Sequence, residues 1–588
     1  MKAVQSFVVI LIAYFCFIPH KGNAQEMVFV NLDKNVIVSG ESVFFKAYLV
    51  NSNTISPDSH SRILYFQITD PVTKNNLVFR SDINKNGTSY GEIPIPDTLS
   101  TGFYLLTAYT NYMRNFNPGQ VYTTRILVIN QARNIPDELN TIVLTKPSDL
   151  TFKTSDPLIS KSNNIDISLD RKIYGTREKV TIGLKNLADT LSISDVSITV
   201  TRKNPFDDPG SFETNICSYL PYIANKIQAG KDQSKLNPGT IPCKYPKEDK
   251  GYIVSGNMID KISKKPISNA FVLLSVPDSI ANLKYAVTDS LGKFCFLLEK
   301  KYNNRQLILQ PKDSPVVVEN TTISLEEKAI DQDKLTLQNV ILDSAGSDFL
   351  ITCQQTAMIH KIYASKIPKD TLGKEKPIQE YCFFGKPDEI IRPSEFLEMP
   401  NLEDIVANIV RNAKYKVTED HSSILVLDEL SHQFWEGNNA LVLLNTIPVF
   451  DYGVLNSLGS RQIQRIELKT KRMYYGDLEI YGIISIFTKE NYIPALELEN
   501  QVVSFPNEVL VPVKSNQFPD YSLAGQKNSK IPDFRQTLYW DPEFEIKNRT
   551  KNTIEFYTSD LKTSYDIVIQ GITQNGIPLS ARTTIEVR

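Results

Sequence analysis

The chain has 588 residues, 41% hydrophobic and 22% charged, with a formal net charge of −2. Those are ordinary globular values, which exclude wholesale disorder, and the length gives a soft expectation of about four domains. A near-neutral chain without basic clusters gives no reason to expect nucleic acid as a partner.

The first residues read as a secretory leader. Lys2 supplies the charged start, and residues 7–18 form an unbroken apolar run of 12. Gly22-Asn23-Ala24 then offers small residues for cleavage. The run is shorter than the roughly 20 residues that span a bilayer, so cleavage before Gln25 is expected. Loss of Lys2 and Lys21 takes the net charge to −4. Cys16 follows the bulky Ala13-Tyr14-Phe15, which does not suit lipid attachment, and reads as part of the apolar run.

Residues 25–132 read as strands. Ile37, Val43, Phe45, Ala47 and Leu49 alternate with polar positions around a turn at Gly40-Glu41, and Thr101-Gly102 opens a run of β-formers. A second unit, 133–202, echoes the first. Leu32-Asp33-Lys34 matches Leu169-Asp170-Arg171, and Glu41 falls nine residues after Leu32 as Glu178 does after Leu169. The shared register predicts tandem β-sandwiches. Asn31-Leu32-Asp33-Lys34, Phe45-Lys46-Ala47-Tyr48-Leu49 and Thr101-Gly102-Phe103-Tyr104 resemble a macroglobulin-type domain of the alpha-2-macroglobulin superfamily. Ser39 stands where that family often has proline before the turn glycine.

Residues 203–250 carry six prolines and read as an irregular connection. Residues 251–320 follow as a further sandwich. Ile253-Val254-Ser255-Gly256-Asn257-Met258-Ile259-Asp260 enters a turn, residues 271–275 form a strand, and Thr288-Asp289-Ser290-Leu291-Gly292-Lys293-Phe294 makes a hairpin turn. That order resembles the carboxypeptidase regulatory-like domain, an accessory sandwich in the transthyretin style that implies no peptidase. Residues 321–375 read as a linker with a helix over 349–362, Ile351, Met358, Ile359 and Ile362 contributing to one face.

Residues 376–495 have a mixed α+β pattern. A helix starts after Pro400-Asn401, strands follow at 423–427 and 440–444, and a turn is expected at Pro448. Arg465-Ile466-Glu467-Leu468, Tyr474-Tyr475-Gly476 and Gly482-Ile483-Ile484-Ser485-Ile486 resemble the plug domain of TonB-dependent outer-membrane receptors. Asn445-Thr446 replaces the usual Asp-Gly turn, which puts any role of that aspartate in doubt. A receptor barrel of about 22 strands, at roughly 10 residues each, needs more than 200 residues. Only 99 follow Lys489, so no barrel is expected among these residues. Residues 496–588, with Trp540-Asp541-Pro542, read as a C-terminal sandwich segment.

The fold class expected is therefore mainly β: tandem immunoglobulin- or transthyretin-like sandwiches plus one α+β plug-like domain. Together the resemblances imply an exported protein of the periplasm or outer membrane.

No residue pattern nominates a catalytic, metal or cofactor site. No cysteine opens the Cys-Gly-Glu-Gln run of a reactive thioester, so covalent protease trapping is unsupported. His60, His360, His421 and His432 form no H-E-x-x-H or H-x-H, and G-x-S-x-G and P-loop runs are missing. Cys217 and Cys243 could close a loop, Cys295 sits in an apolar run and reads as core, and Cys353 and Cys382 are isolated. Asp33-Lys34 and Asp170-Arg171 read as strand-end caps or surface ion pairs, worth under about 1 kcal/mol. Trp540 reads as core before a turn, and Tyr474-Tyr475-Gly476 as core and turn. The function expected is non-enzymatic binding or scaffolding in the envelope, as accessory to a TonB-dependent uptake complex. The alternative is a non-covalent, macroglobulin-like protease inhibitor.

Overall fold

The computed structural model describes residues 25–588 apart from 59, 133–142, 148–164, 188–193, 207–213, 234–243, 278–279, 281, 300–305, 313–319, 332–336, 342, 365–381, 418–421, 430, 436, 490–502, 506–508, 513–517, 528 and 547–551. The expected leader, Cys243 and His421 lie outside the described residues. The chain is mainly β and divides into two compact units. One comprises residues 1–251, 328–369 and 509–588; the other comprises 252–327 and 370–508.

The first unit holds two sandwiches. In the first, the sheet Glu26–Leu32, Ser42–Asn51, Thr88–Pro94 covers a six-stranded sheet that runs from Val36–Val38 to Val509–Leu510. Val43, Phe45, Ala47 and Leu49 fill the interior, with the Phe45 and Phe66 rings 4.4 Å apart. The alternate positions Lys46 and Tyr48 are buried as well. Their face of the sheet is covered by the second sandwich, so simple in–out alternation is lost.

That second sandwich joins two segments the sequence presents as separate modules. Lys179–Asn186 pairs with Asn552–Tyr557, and Ser194–Arg202 lies between Thr537–Ile546 and Ser564–Thr573. Strands from before residue 203 and after 536 thus share both sheets and one core, including Val196, Ile198, Leu538, Ile567 and Ile569. Each segment alone would leave an apolar sheet face in water.

The two long helices among the described residues of this unit pack on its sheets. The stretch expected to be an irregular connection contains α1, Ile216–Gln233, whose Ile216, Tyr219, Leu220, Ile223, Ala224 and Ile227 recur at helical spacing and are buried. The Asn215 side chain accepts from Cys217 N at 2.9 Å and caps its start. Helix α2, Ser344–Ala364, is longer than expected and buries a different face. Phe349, Leu350, Cys353 and Ala357 pack on Val36, Val38, Leu127 and Ile129, while Met358 and Ile362 are exposed.

In the second unit, residues 252–325 with Val503–Phe505 form a small sandwich of three- and four-stranded sheets. Its strand Lys293–Leu298 alternates strictly: Phe294, Phe296 and Leu298 face inward, and Cys295 is exposed, contrary to the core role expected of it. The α+β module beside it has a five-stranded sheet in which the hairpin Ile463–Tyr475/Leu478–Thr488 is flanked by Glu389–Ile391 and Leu441–Leu444. Helix α3, Leu402–Ile409, starts at Asn401, whose Oδ1 accepts from Asp404 N at 2.7 Å. The turn expected at Pro448 falls earlier, at Asn445-Thr446, both with positive φ, and Pro448 lies inside the edge strand Ile447–Val449.

Candidate functional site

The two parts of the second unit enclose a cleft of about 530 Å³. Leu273, Leu283 and Lys312 come from the small sandwich; residues 439–442, 449–452 and 478–481 come from the α+β module. The walls are apolar because Leu441–Leu444 is a fully apolar strand and Leu478–Thr488 presents Leu478 and Ile480 beside it. Leu273, Leu283 and Leu478 form a buried cluster with Phe450 and Tyr475 against it.

Side-chain to main-chain bonds fix the walls. Tyr475 OH donates to Leu283 O at 2.9 Å, Gln310 Nε2 to Pro448 O at 2.9 Å, and Thr446 Oγ1 to Val276 O at 3.1 Å. Asp477 N donates to the Tyr285 hydroxyl at 2.8 Å, below Gly476, whose φ is +59°. Burial pushes the Tyr452 hydroxyl up to about 12, so it stays a neutral hydrogen-bonding wall group. Polar character comes from Lys312, Asn439, Asp451 and Glu479. Asp451 Oδ1 accepts from Gly453 N at 3.0 Å, and Glu479 is ion-paired with Arg472. The cleft is thus a mixed surface of apolar and polar groups, in the size range of ligand sites. It has the makings of a binding site.

The remaining residues singled out in the sequence have structural settings. Asp33 accepts from Phe44 N at 2.8 Å, and Asp170 accepts from Thr181 N at 3.1 Å, each 11 positions along. Lys34 pairs with Glu41 at 2.7 Å and Arg171 with Glu178 at 2.8 Å. The repeated motif is a staple holding a strand end to the following strand. Burial pushes the Asp33 carboxyl up to about 6 against the pull of Lys34. Trp540 is buried and stacks on Phe44 with centroids 6.3 Å apart, but Asp541-Pro542 continues its strand rather than turning. Tyr474 is exposed, contrary to the core role expected; Tyr475 is half-buried.

His60, hydrogen-bonded to Asp58 at 2.5 Å, is exposed, as are His360 and His432. Among the described residues, no group of three or more His, Cys, Asp or Glu is placed to hold a metal ion. Also among them, no helix is long and apolar enough to cross a membrane. The cleft itself was missed in the sequence. Its lining comes from widely separated stretches between residues 273 and 481, and only the apolar run 441–444 hints at it.

No protein-family model matches this chain, and no curated protein matches it. Solved structures similar to it include bacterial alpha-2-macroglobulins. Escherichia coli alpha-2-macroglobulin in its native conformation is 8% identical, at a TM-score of 0.23, over 97% of this chain and 40% of that one. The same protein activated by porcine elastase is 8% identical, at 0.23, over 96% and 44%. FdeC, an Escherichia coli adhesin, is 10% identical, at 0.14, over 48% and 58%. The chain spans less than half the length of the macroglobulins it matches.

Proposed function

We propose that the protein acts by binding, as a non-enzymatic scaffold of the bacterial cell envelope and an accessory of an outer-membrane uptake complex. The cleft of the second unit is its recognition site. The observation that carries this reading is the cleft of about 530 Å³, lined by apolar strand residues together with Lys312, Asn439, Asp451 and Glu479, whose walls are fixed by hydrogen bonds between the small sandwich and the α+β module. A concave surface that combines apolar walls with a few placed polar groups suits recognition. The leader-like residues 1–24 support export, and the plug-like motifs support an envelope partner. Fold analogy alone would not carry the assignment.

The test is crosslinking in intact cells followed by affinity purification, with Phe450→Ser and Lys312→Glu chains in parallel. An outer-membrane transporter recovered in fixed ratio, and lost in both variants, supports the reading. Recovery of the chain alone overturns it. Recovery with a secreted protease, and inhibition of that protease at molar excess, moves the assignment to non-covalent inhibition.

A further inference from the structure

On the face shared by the two sandwiches of the first unit, Lys46 of Ser42–Asn51 meets Asp195 of Ser194–Arg202. Lys46 Nζ is in direct contact with Asp195 Oδ1, and the lysine side chain is 1% exposed. The ammonium also lies 5.0 Å from the Tyr48 ring centroid. Two more carboxylates, Glu543 and Asp541, act on it electrostatically. Glu543 is held in turn by the Tyr90 hydroxyl, and Tyr90 is the strand partner of Lys46. A buried amine, a carboxyl in contact with it and a neighbouring second carboxyl are the components of amide formation. We propose that Lys46 and Asp195 become joined by an isopeptide bond that stitches the two sandwiches together.

The step balances without an oxidant or a co-reactant. A proton passes from Lys46 Nζ to Asp195 Oδ1 within the contacting pair, and Nζ then attacks Cγ, forming the C–N bond. The Cγ–OH bond breaks, and its oxygen leaves as water with a proton from the amine. Glu543 relays that proton as general acid and base. Burial pulls Lys46 below the usual lysine range, outweighing its carboxylate neighbours, which favours the neutral nucleophile. Lys34 differs: the attraction of Glu41 and Asp33 outweighs its burial and holds it above that range, so it stays charged and unreactive. Holding the reactants in contact replaces a bimolecular step, with effective molarities that reach about 10⁵–10⁸ M. The product removes the charge of the buried Lys46, whose desolvation is costly. Asp195 remains 35% exposed, which gives the released water a way out.

The test is intact mass and a tryptic map of the purified full chain. The expected result is a chain lighter by one water, with one branched peptide joining the segments around residues 46 and 195. Trypsin does not cut after the acylated lysine. A Lys46→Arg chain keeps a cation at the site and returns the linear mass. An Asp195→Asn chain links with loss of ammonia in place of water. Recovery of both linear peptides, and the full mass, from folded wild-type protein overturns the proposal and leaves an ion pair only.

Discussion

The Thr537 hydroxyl donates a 2.6 Å hydrogen bond to the Asp33 carboxylate across a sequence separation of 504 residues. The bond joins the start of the first sandwich to the last part of the second. It lies on the same shared face as Asn31, whose Nδ2 donates to Ser197 Oγ at 2.8 Å and whose Oδ1 accepts from Gln570 Nε2 at 3.0 Å. Asp33 and Asn31 are buried, so this junction is built from satisfied polar groups rather than apolar surface alone.

Asp33 should make stability fall as pH rises. Its folded-state value of about 6 lies above the ordinary 3.8, so between those values the folded chain binds more protons than the unfolded one. Its favourable contribution is complete below pH 4 and is lost as pH rises through 6. The difference corresponds to about 2–3 kcal/mol above that range. In Asp33→Asn the Thr537 hydroxyl turns to accept, and the slope between pH 4 and 6 should flatten. Urea denaturation at several pH values checks this; an unchanged slope rules it out.

Arg177 ties the second sandwich to its C-terminal segment. Its guanidinium makes two bonds to Asp560, at 2.7 and 2.6 Å, and donates to Ser529 O and Ile531 O. Burial pushes the Asp560 carboxyl up, but Arg177 and the Asp533 N–H outweigh it and hold the carboxyl low. Lysine cannot reproduce a planar fork, so Arg177→Lys should cost about 1–3 kcal/mol. The chain has two tryptophans, Trp540 in the first unit and Trp435 in the second. Trp540 fluorescence in a Trp435→Phe background should therefore show the loss, and a midpoint equal to that of the parent would refute it.

The mainly β class was legible because alternation and turn residues are local. The Asp33/Asp170 repeat was legible because the staple spans a fixed 11 positions. What could not be read was set by distant partners. Lys46 and Tyr48 occupy the nominally outward face of their strand, and only the second sandwich explains their burial. That sandwich draws on both 165–202 and 537–587, a pairing no local pattern announces. Helix α1 carried a legible stripe at 216, 219, 220, 223, 224 and 227, but Pro221 and its proline-marked surroundings masked it. The cleft depends on tertiary closure between two modules, so its charged residues had no motif to mark them.

Gly476 is a test of that closure. It takes positive φ in the hairpin between Ile463–Tyr475 and Leu478–Thr488, and an added Cβ would fall on the Tyr285 hydroxyl. Gly476→Ala should therefore strain the turn and displace Tyr285 from Asp477 N, costing about 1–3 kcal/mol. The loss should appear in the Trp435 signal of a Trp540→Phe chain, while the Trp540 transition, read in a Trp435→Phe chain, should be unchanged. Equal shifts in both signals would show that Gly476 does not act through the cleft wall.

The cysteines give the last prediction. Cys353 is buried between α2 and the first sandwich, and burial pushes its thiol up to about 11. Little thiolate is present at neutral pH and no reagent can reach it, so the native chain should protect it. Cys295 points outward from Lys293–Leu298 and should react with a maleimide at once. Peptide mapping after a short native pulse should find Cys295 labelled and Cys353 unlabelled, with Cys353 labelled only after denaturation. Rapid native labelling of Cys353 would mean that α2 opens from the sheet far more readily than its Phe349 and Leu350 packing implies. Protection of Cys295 would reverse the facing of that strand, because a one-residue shift in a strand exchanges its inner and outer side chains.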